Sequence, residues 1–182
     1  MVGPNRVKLI VGGAVGAVLV AALAVGLTRG GGDTARLATD GPSLTGTAPA
    51  PTVKGRDLVT GAPIDLASYK GKPVFINVWA SWCGPCRKEA PEILRFTKEH
   101  PEVVFLGVDV NEPRSRGRAF NAEAGWTHPS IFDPGGDVGV DRLKVANLPN
   151  TIYIDAKGKL RGRTEGPVTF DDLVSVARRI LR

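Results

Sequence analysis

The sequence predicts an α/β domain, and three observations carry that expectation. A mostly apolar run with β-branched and aromatic residues, Lys72 to Ala80, passes almost directly into a stretch of helical spacing from Arg87 to His100. A second apolar strand follows at Val103 to Val110. The chain then closes with two short strands joined by a turn and an amphipathic helix from Phe170 to Leu181. At 182 residues there is room for one such domain plus an appendage, and no cross-link is needed for it to fold.

The appendage comes first. Arg6 and Lys8 precede an uncharged stretch, Leu9 to Leu27, of about 19 residues, the length of a helix that crosses a bilayer. With the positive flank on the cytoplasmic side, the chain from Arg29 onward lies outside the cytoplasm. A cleaved signal peptide is the alternative, because Ala22-Leu23-Ala24 fits a small-x-small cleavage site. Both versions deliver the domain to the same compartment. Gly12, Gly13, Gly16 and Gly26 would weaken a water-exposed helix, whereas glycine is common in membrane spans, so residues 1–28 are taken as a signal-anchor. Residues 29–52 hold Gly30-Gly31-Gly32, Pro42, Pro49 and Pro51 and almost no large apolar side chain, which predicts a flexible tether. The folded domain is then expected over 53–182.

Within it, Leu58 to Leu66 reads as a short hairpin around Thr60-Gly61, and Ser68 to Lys72 as a turn into the apolar run. In the following helix Cys86, Ala90, Ile93, Leu94 and Phe96 recur at the spacing of one buried face, and Pro91 within that pattern predicts a kink. After the second strand come a short helix at Arg116 to Ala124, an extended segment at Pro129 to Asp133 and a weak helical one at Val138 to Leu143. Thr151 to Asp155 and Leu160 to Thr164 form the closing hairpin, and Leu173, Val176, Ala177 and Ile180 point inward from the last helix.

The formal net charge is +6, but the Lys and Arg residues are scattered, with the densest groups at Arg114 to Arg118 and Arg178-Arg179. No basic stripe interleaved with aromatics occurs, so nucleic acid is not the expected partner. Chemistry concentrates in Trp82-Cys83-Gly84-Pro85-Cys86, which contains both cysteines of the chain. Cys83 falls at a helix N-terminus, where unpaired N–H groups and the helix dipole favour a thiolate. Cys86, three residues on, returns to the same side of the first turn, within reach of a disulfide. Zinc would need two further ligands, and only His100 and His128 are on offer, without the short histidine spacing of zinc modules. A permanent bridge closing so short a loop would contribute little stability, because that gain grows with loop length. A redox-active pair is the better reading.

The order of these elements, with Leu148-Pro149-Asn150-Thr151 before the closing hairpin, resembles the thioredoxin superfamily over residues 53–182. Asn77-Val78-Trp79-Ala80-Ser81-Trp82-Cys83-Gly84-Pro85-Cys86-Arg87-Lys88-Glu89-Ala90-Pro91 is similar to the TlpA-like branch, which includes the cytochrome c maturation thioredoxins. The resemblance implies a thioredoxin-like fold, a central mixed sheet with helices on both faces. It implies Cys83 as the attacking thiolate, Cys86 as the resolving thiol, a Cys83–Cys86 disulfide in the oxidised state, and Pro149 in cis beside it. Trp82, Gly84, Pro85 and Leu148 would border the substrate groove. No cofactor or metal is implied. Thioredoxins proper carry a buried aspartate where this chain has Asn77, which leaves Glu89 as the base, with an ordinary surface charge as its alternative. Asn147 stands where the family often has glycine, and His128, before Pro129, reads as plain surface.

The implied activity is that of an anchored thiol:disulfide oxidoreductase reducing disulfides in exported proteins, apocytochromes c among them. Electrons would come from a membrane thiol-transfer partner. A thiol oxidase or isomerase on the same fold is the first alternative, and a redox-inert binding module the second. Peroxide chemistry fits less well, since it calls for a low-pKa cysteine without this vicinal partner.

Overall fold

In the computed structural model, which describes residues 44–182, a small hairpin of β1 (Lys54–Arg56) and β2 (Pro63–Asp65) precedes a five-stranded sheet. The hairpin sits earlier than the sequence spacing suggests. Asp57 Oδ1 accepts hydrogen bonds from the backbone N–H groups of Val59 and Thr60 and from Thr60 Oγ1, which folds the expected first strand into the hairpin loop.

The sheet has the order β5-β4-β3-β6-β7. Its centre is β3 (Val74–Trp79), the apolar run of the sequence, with every residue buried. Strands β4 (Val104–Val110) and β5 (Ser130–Asp133) lie parallel on one side, while β6 (Asn150–Ile154) and β7 (Leu160–Glu165) are antiparallel on the other. The sheet is therefore mixed, as the resemblance implies. Helix α1 (Gly84–Glu99) links β3 to β4 and runs through Pro91. Helix α2 (Arg114–Glu123) links β4 to β5, and α3 (Phe170–Ile180) closes the chain. A capping box starts α3, with Thr169 Oγ1 accepting from the Asp172 N–H and Asp172 returning the bond to the Thr169 N–H.

Helical segments lie on both faces of the sheet, but unequally. Residues alternate along β3, so Phe75 and Trp79 face one core cluster and Val74, Ile76 and Val78 the other. Side chains of all three α-helices, such as Ile93, Phe120 and Leu173, belong to the Phe75–Trp79 cluster. Two parallel crossovers, β3 to β4 and β4 to β5, step the same way across the sheet, and right-handed connections put both linking helices on one face. The opposite face is covered by Val53, Ile64, the 3₁₀ turn Leu66–Tyr69 and Val138 from a π-helical segment, Asp137–Arg142. That segment is the weak helical one expected at Val138 to Leu143, wound as a π-helix. Asp133 Oδ2, accepting from the N–H groups of Val138 and Gly139, fixes its start.

The tether expected over 29–52 also changes character from Leu44 on. The Gly46 N–H donates to the Arg161 carbonyl, Leu160 N–H to Ala48, and Ala50 N–H to Gly158, so this stretch runs along the outer edge of β7. Leu44 is buried in the core despite the glycine and proline around it. A Cβ on Gly46 would come within 2.4 Å of the Leu160 carbonyl oxygen, which explains a small residue there. Composition predicted a loose segment because backbone pairing needs no large side chain. The signal-anchor expected over residues 1–28 lies outside the described residues. Among the described residues no helix is long and apolar enough to cross a membrane.

Candidate active site

The C-terminal end of β3 delivers Ala80, Ser81 and Trp82 to the start of α1, and Cys83 is the residue that caps this helix. Its Sγ accepts a hydrogen bond from the Cys86 N–H at 3.2 Å. One of the otherwise unpartnered N–H groups of the first turn thus points at the sulfur, and the same donor would stabilise a thiolate after reduction. Cys83 and Cys86 are joined in a disulfide, with Cα atoms 5.3 Å apart.

The two sulfurs sit in different surroundings. Cys83 is 5% exposed and lines a groove of about 430 Å³, whereas Cys86 is 0% exposed and does not reach it. Trp82, Gly84, Pro85 and Leu148, expected at a substrate groove, line it with Cys83, and Trp82 is 57% exposed. Asn147 is there as well. Val145 and Ala146, from the loop before Pro149 that the resemblance places at the groove, join them; Val78, Val110, Asn111 and Val140 complete the wall, and nothing in their local sequence singled them out, because strand ends and the π-helical segment meet there only in the folded chain. The Leu148–Pro149 peptide is cis, and Pro149 leads directly into β6 beside β3.

Behind the disulfide lies a small polar network. Glu89, one turn beyond Cys86, is 2% exposed, so the reading of it as a surface charge is wrong. Asn77 Nδ2 donates to Glu89 Oε1 at 2.9 Å and to Thr151 Oγ1 at 3.0 Å, and the Val168 N–H donates to Glu89 Oε2 at 2.9 Å. Burial pushes the Glu89 carboxyl up to about 7 against the pull of the Val168 and Asn77 hydrogen bonds. Asn77 thus holds an acid on the neighbouring helix where thioredoxins proper have one on the strand.

His128 is half-buried rather than plain surface, with both ring nitrogens shielded from solvent. Its ring packs against Trp126 and Phe105, each with centroids 5.0 Å away, and burial lowers its pKa to about 4. It is outside the groove. His100 stacks on Phe96 and meets Glu102 at 2.8 Å. Sequence reasoning missed Glu112, which accepts hydrogen bonds from both the N–H and the hydroxyl of Ser81, just before Trp82 and Cys83. An acid in a polar loop carries no sequence signal of its own.

A disulfide at the mouth of a helix, one sulfur open and one sealed, on a mixed sheet of this order, defines a thioredoxin-like thiol:disulfide oxidoreductase. The comparison with known proteins agrees. The chain belongs to the AhpC/TSA family, which it matches over residues 46–163. It is 35% identical to the thiol:disulfide interchange protein HelX of Rhodobacter capsulatus over 124 residues, 67% of this chain and 69% of the relative. It is 34% identical to the thiol-disulfide oxidoreductase ResA of Geobacillus thermodenitrificans over 110 residues, 59% of this chain and 63% of the relative. Among solved structures, a secreted thiol-disulfide isomerase from Corynebacterium glutamicum superposes with a TM-score of 0.66 at 27% identity, covering 72% of this chain and 84% of that one.

Proposed function

We propose that this chain is a membrane-anchored, extracytoplasmic reductant of disulfides in exported proteins, apocytochromes c among them. The observation that carries the reading is the asymmetry of the pair: Cys83 opens onto the groove and Cys86 is sealed behind it. In the reduced protein the Cys83 thiolate attacks a substrate disulfide, forming a mixed disulfide and releasing one substrate thiolate. Cys86, deprotonated by Glu89, then attacks Cys83 Sγ. The second substrate thiol leaves, two electrons have passed to the substrate, and the Cys83–Cys86 disulfide is restored. A carboxyl poised near neutral pH suits that proton transfer. Pro149 leaves its neighbour Leu148 extended, so that the groove can pair with an extended substrate segment.

Several features support the direction and the place. Gly84-Pro85 between the cysteines matches the reducing thioredoxin rather than the strongly oxidising periplasmic proteins, whose potentials differ by about 150 mV. Arg6, Lys8 and the apolar run to Leu27 support an anchor with the domain outside the cytoplasm. There a reductant needs electrons from across the membrane, which calls for a membrane thiol-transfer donor. The likeness to a secreted isomerase favours one second reading, isomerisation by the same pair.

Cys86→Ser tests the proposal. The variant should accumulate mixed disulfides through Cys83 with exported proteins, including apocytochromes that carry Cys-x-x-Cys-His sites. Trapping of broad, newly exported and still reduced proteins would turn the reading to oxidation, and a mature N-terminus near Val25 in the soluble exported fraction would remove the anchor.

A further inference from the structure

Beneath the loop that presents Cys83, two buried carboxyl groups stand together. Asp109 on β4 is fully buried, and neither of its oxygens meets an N–H or hydroxyl donor. Glu112, three residues on, is also buried, and it accepts from the Ser81 N–H at 2.5 Å and from the Ser81 hydroxyl. The charged groups that face Asp109 are Glu112 from the loop before α2, Arg114 at the start of α2, and Asp133 on β5. Arg114 is committed elsewhere: it donates to the carbonyls of Asp57 and Leu58 and lies over the Phe132 ring. Helix α2 seals the other side. A Cβ on Gly117 would fall 2.0 Å from Asp109 Oδ2, so no water fits between them.

An orphaned carboxylate in such a place would be costly, and beside a second carboxylate more so. A single proton between the two groups removes both costs. Two acceptors become a donor and an acceptor, and Glu112 keeps the charge with which it grips Ser81. We propose that Asp109 is a positioning residue for disulfide exchange: it retains its proton, donates it in a hydrogen bond to Glu112, and through Glu112 and Ser81 holds Trp82 and Cys83 at the mouth of the groove. Burial, and then Glu112, push the Asp109 carboxyl up to about 9, in keeping with a neutral acid at physiological pH. The inference rests on the reading of Cys83 as the groove-facing attacking sulfur, but its structural arm is independent of which way the electrons flow.

Two substitutions separate a proton donor from a mere filler. Asp109→Asn keeps an N–H donor toward Glu112, and Asp109→Leu keeps the volume without one. In the full chain, carboxyl carbon NMR should find Asp109 neutral at pH 7. Asp109→Asn should leave the hydrogen-exchange protection of the Ser81 amide as it is. Asp109→Leu should lower that protection by about tenfold, the effect of one buried hydrogen bond. It should also slow reduction of insulin by the reduced enzyme, with Asp109→Asn restoring the rate. The proposal is overturned if Asp109 titrates near the ordinary carboxylate range, if Asn behaves like Leu, or if neither substitution changes the protection of the Ser81 amide. Should Asp109→Leu not fold, the wild-type titration and the Asn variant decide the matter alone. If the Ser81 change occurs while disulfide exchange is unaffected, Asp109 is a structural acid and not a positioning residue. If Cys83 traps no partner, the functional reading fails while the carboxyl pair still stands.

Discussion

The two sides of the Cys83–Cys86 bond are built from opposite materials. In front, Cys83 shares a groove with Trp82, Val78, Val140, Val145 and Leu148, mostly apolar and open. Behind, Cys86 backs onto a sealed helix face that carries Glu89, to which Asn77 on β3 donates a hydrogen bond while also donating to Thr151 on β6. In the proposed reaction, partner recognition and proton handling are thereby separated by a single helical turn, and the front could vary with its substrates without disturbing Glu89.

The sharpest way to break this division is to remove each sulfur in turn. Cys83→Ser should abolish disulfide exchange and trap almost no partner, since Cys86 is sealed, whereas Cys86→Ser should stall with a partner attached. Equal trapping by both variants, read on non-reducing gels, would show that front and back are interchangeable.

The next effect comes from the back alone. If Glu89 takes the proton from Cys86, the rate of resolving the mixed disulfide should rise as pH passes through about 7, and Glu89→Gln should flatten that limb and cost at least about a hundredfold above it. The same group makes a stability prediction with a definite sign. Its folded pKa lies above its ordinary value of 4.5, so between pH 4.5 and about 7 the folded state holds more protons than the unfolded one, and stability falls as pH rises. The shift is worth about 3 kcal/mol at most, fully present below pH 4.5 and lost above 7. Urea titrations at pH 4.5 and 8 should show this drop in the wild type and a smaller one in Glu89→Gln. An equal drop in both would move the proton linkage elsewhere.

The smallest effects belong to the front. Trp82→Ala and Leu148→Ala should each raise KM for a protein substrate by about tenfold, the scale of one apolar contact in an interface, with kcat and the pH limb unchanged. A change in the pH limb would mean that the groove and the proton network are coupled after all.

Much of this division was legible in the sequence. The buried strand and the cysteines at the head of a helix follow from local pattern, because each depends on neighbours a few residues apart, whereas the place of Leu148-Pro149 came only with the family resemblance. Glu89 was visible only as a candidate. Arg87 and Lys88 beside it suggest solvent, and burial by Val168 and Asn77 comes from segments 79 and 12 residues away. His128 was misjudged for the same reason, since Phe105 and Trp126 enclose it from another strand and a loop. For the Asp109–Glu112 pair a faint signal existed: Asp109 is the one charged residue in the strand Val103 to Val110. A charge on a strand that is otherwise apolar invites the question of what pairs with it.

The chain that borders β7 has a counterpart at the other margin of the sheet, where Leu58 N–H donates to the Ser130 carbonyl alongside β5. Both open rims are therefore occupied by the protein's own N-terminal residues. A soluble fragment begun at Val53, the start that composition recommends, would keep the second cover and lose the first. It would leave the backbone groups of β7 free to join the same strand of another molecule, the usual beginning of aggregation. A fragment begun at Leu44 would keep its rims closed, and comparing the two by light scattering would show whether nine residues without a conspicuous side chain among most of them act as a guard against self-association.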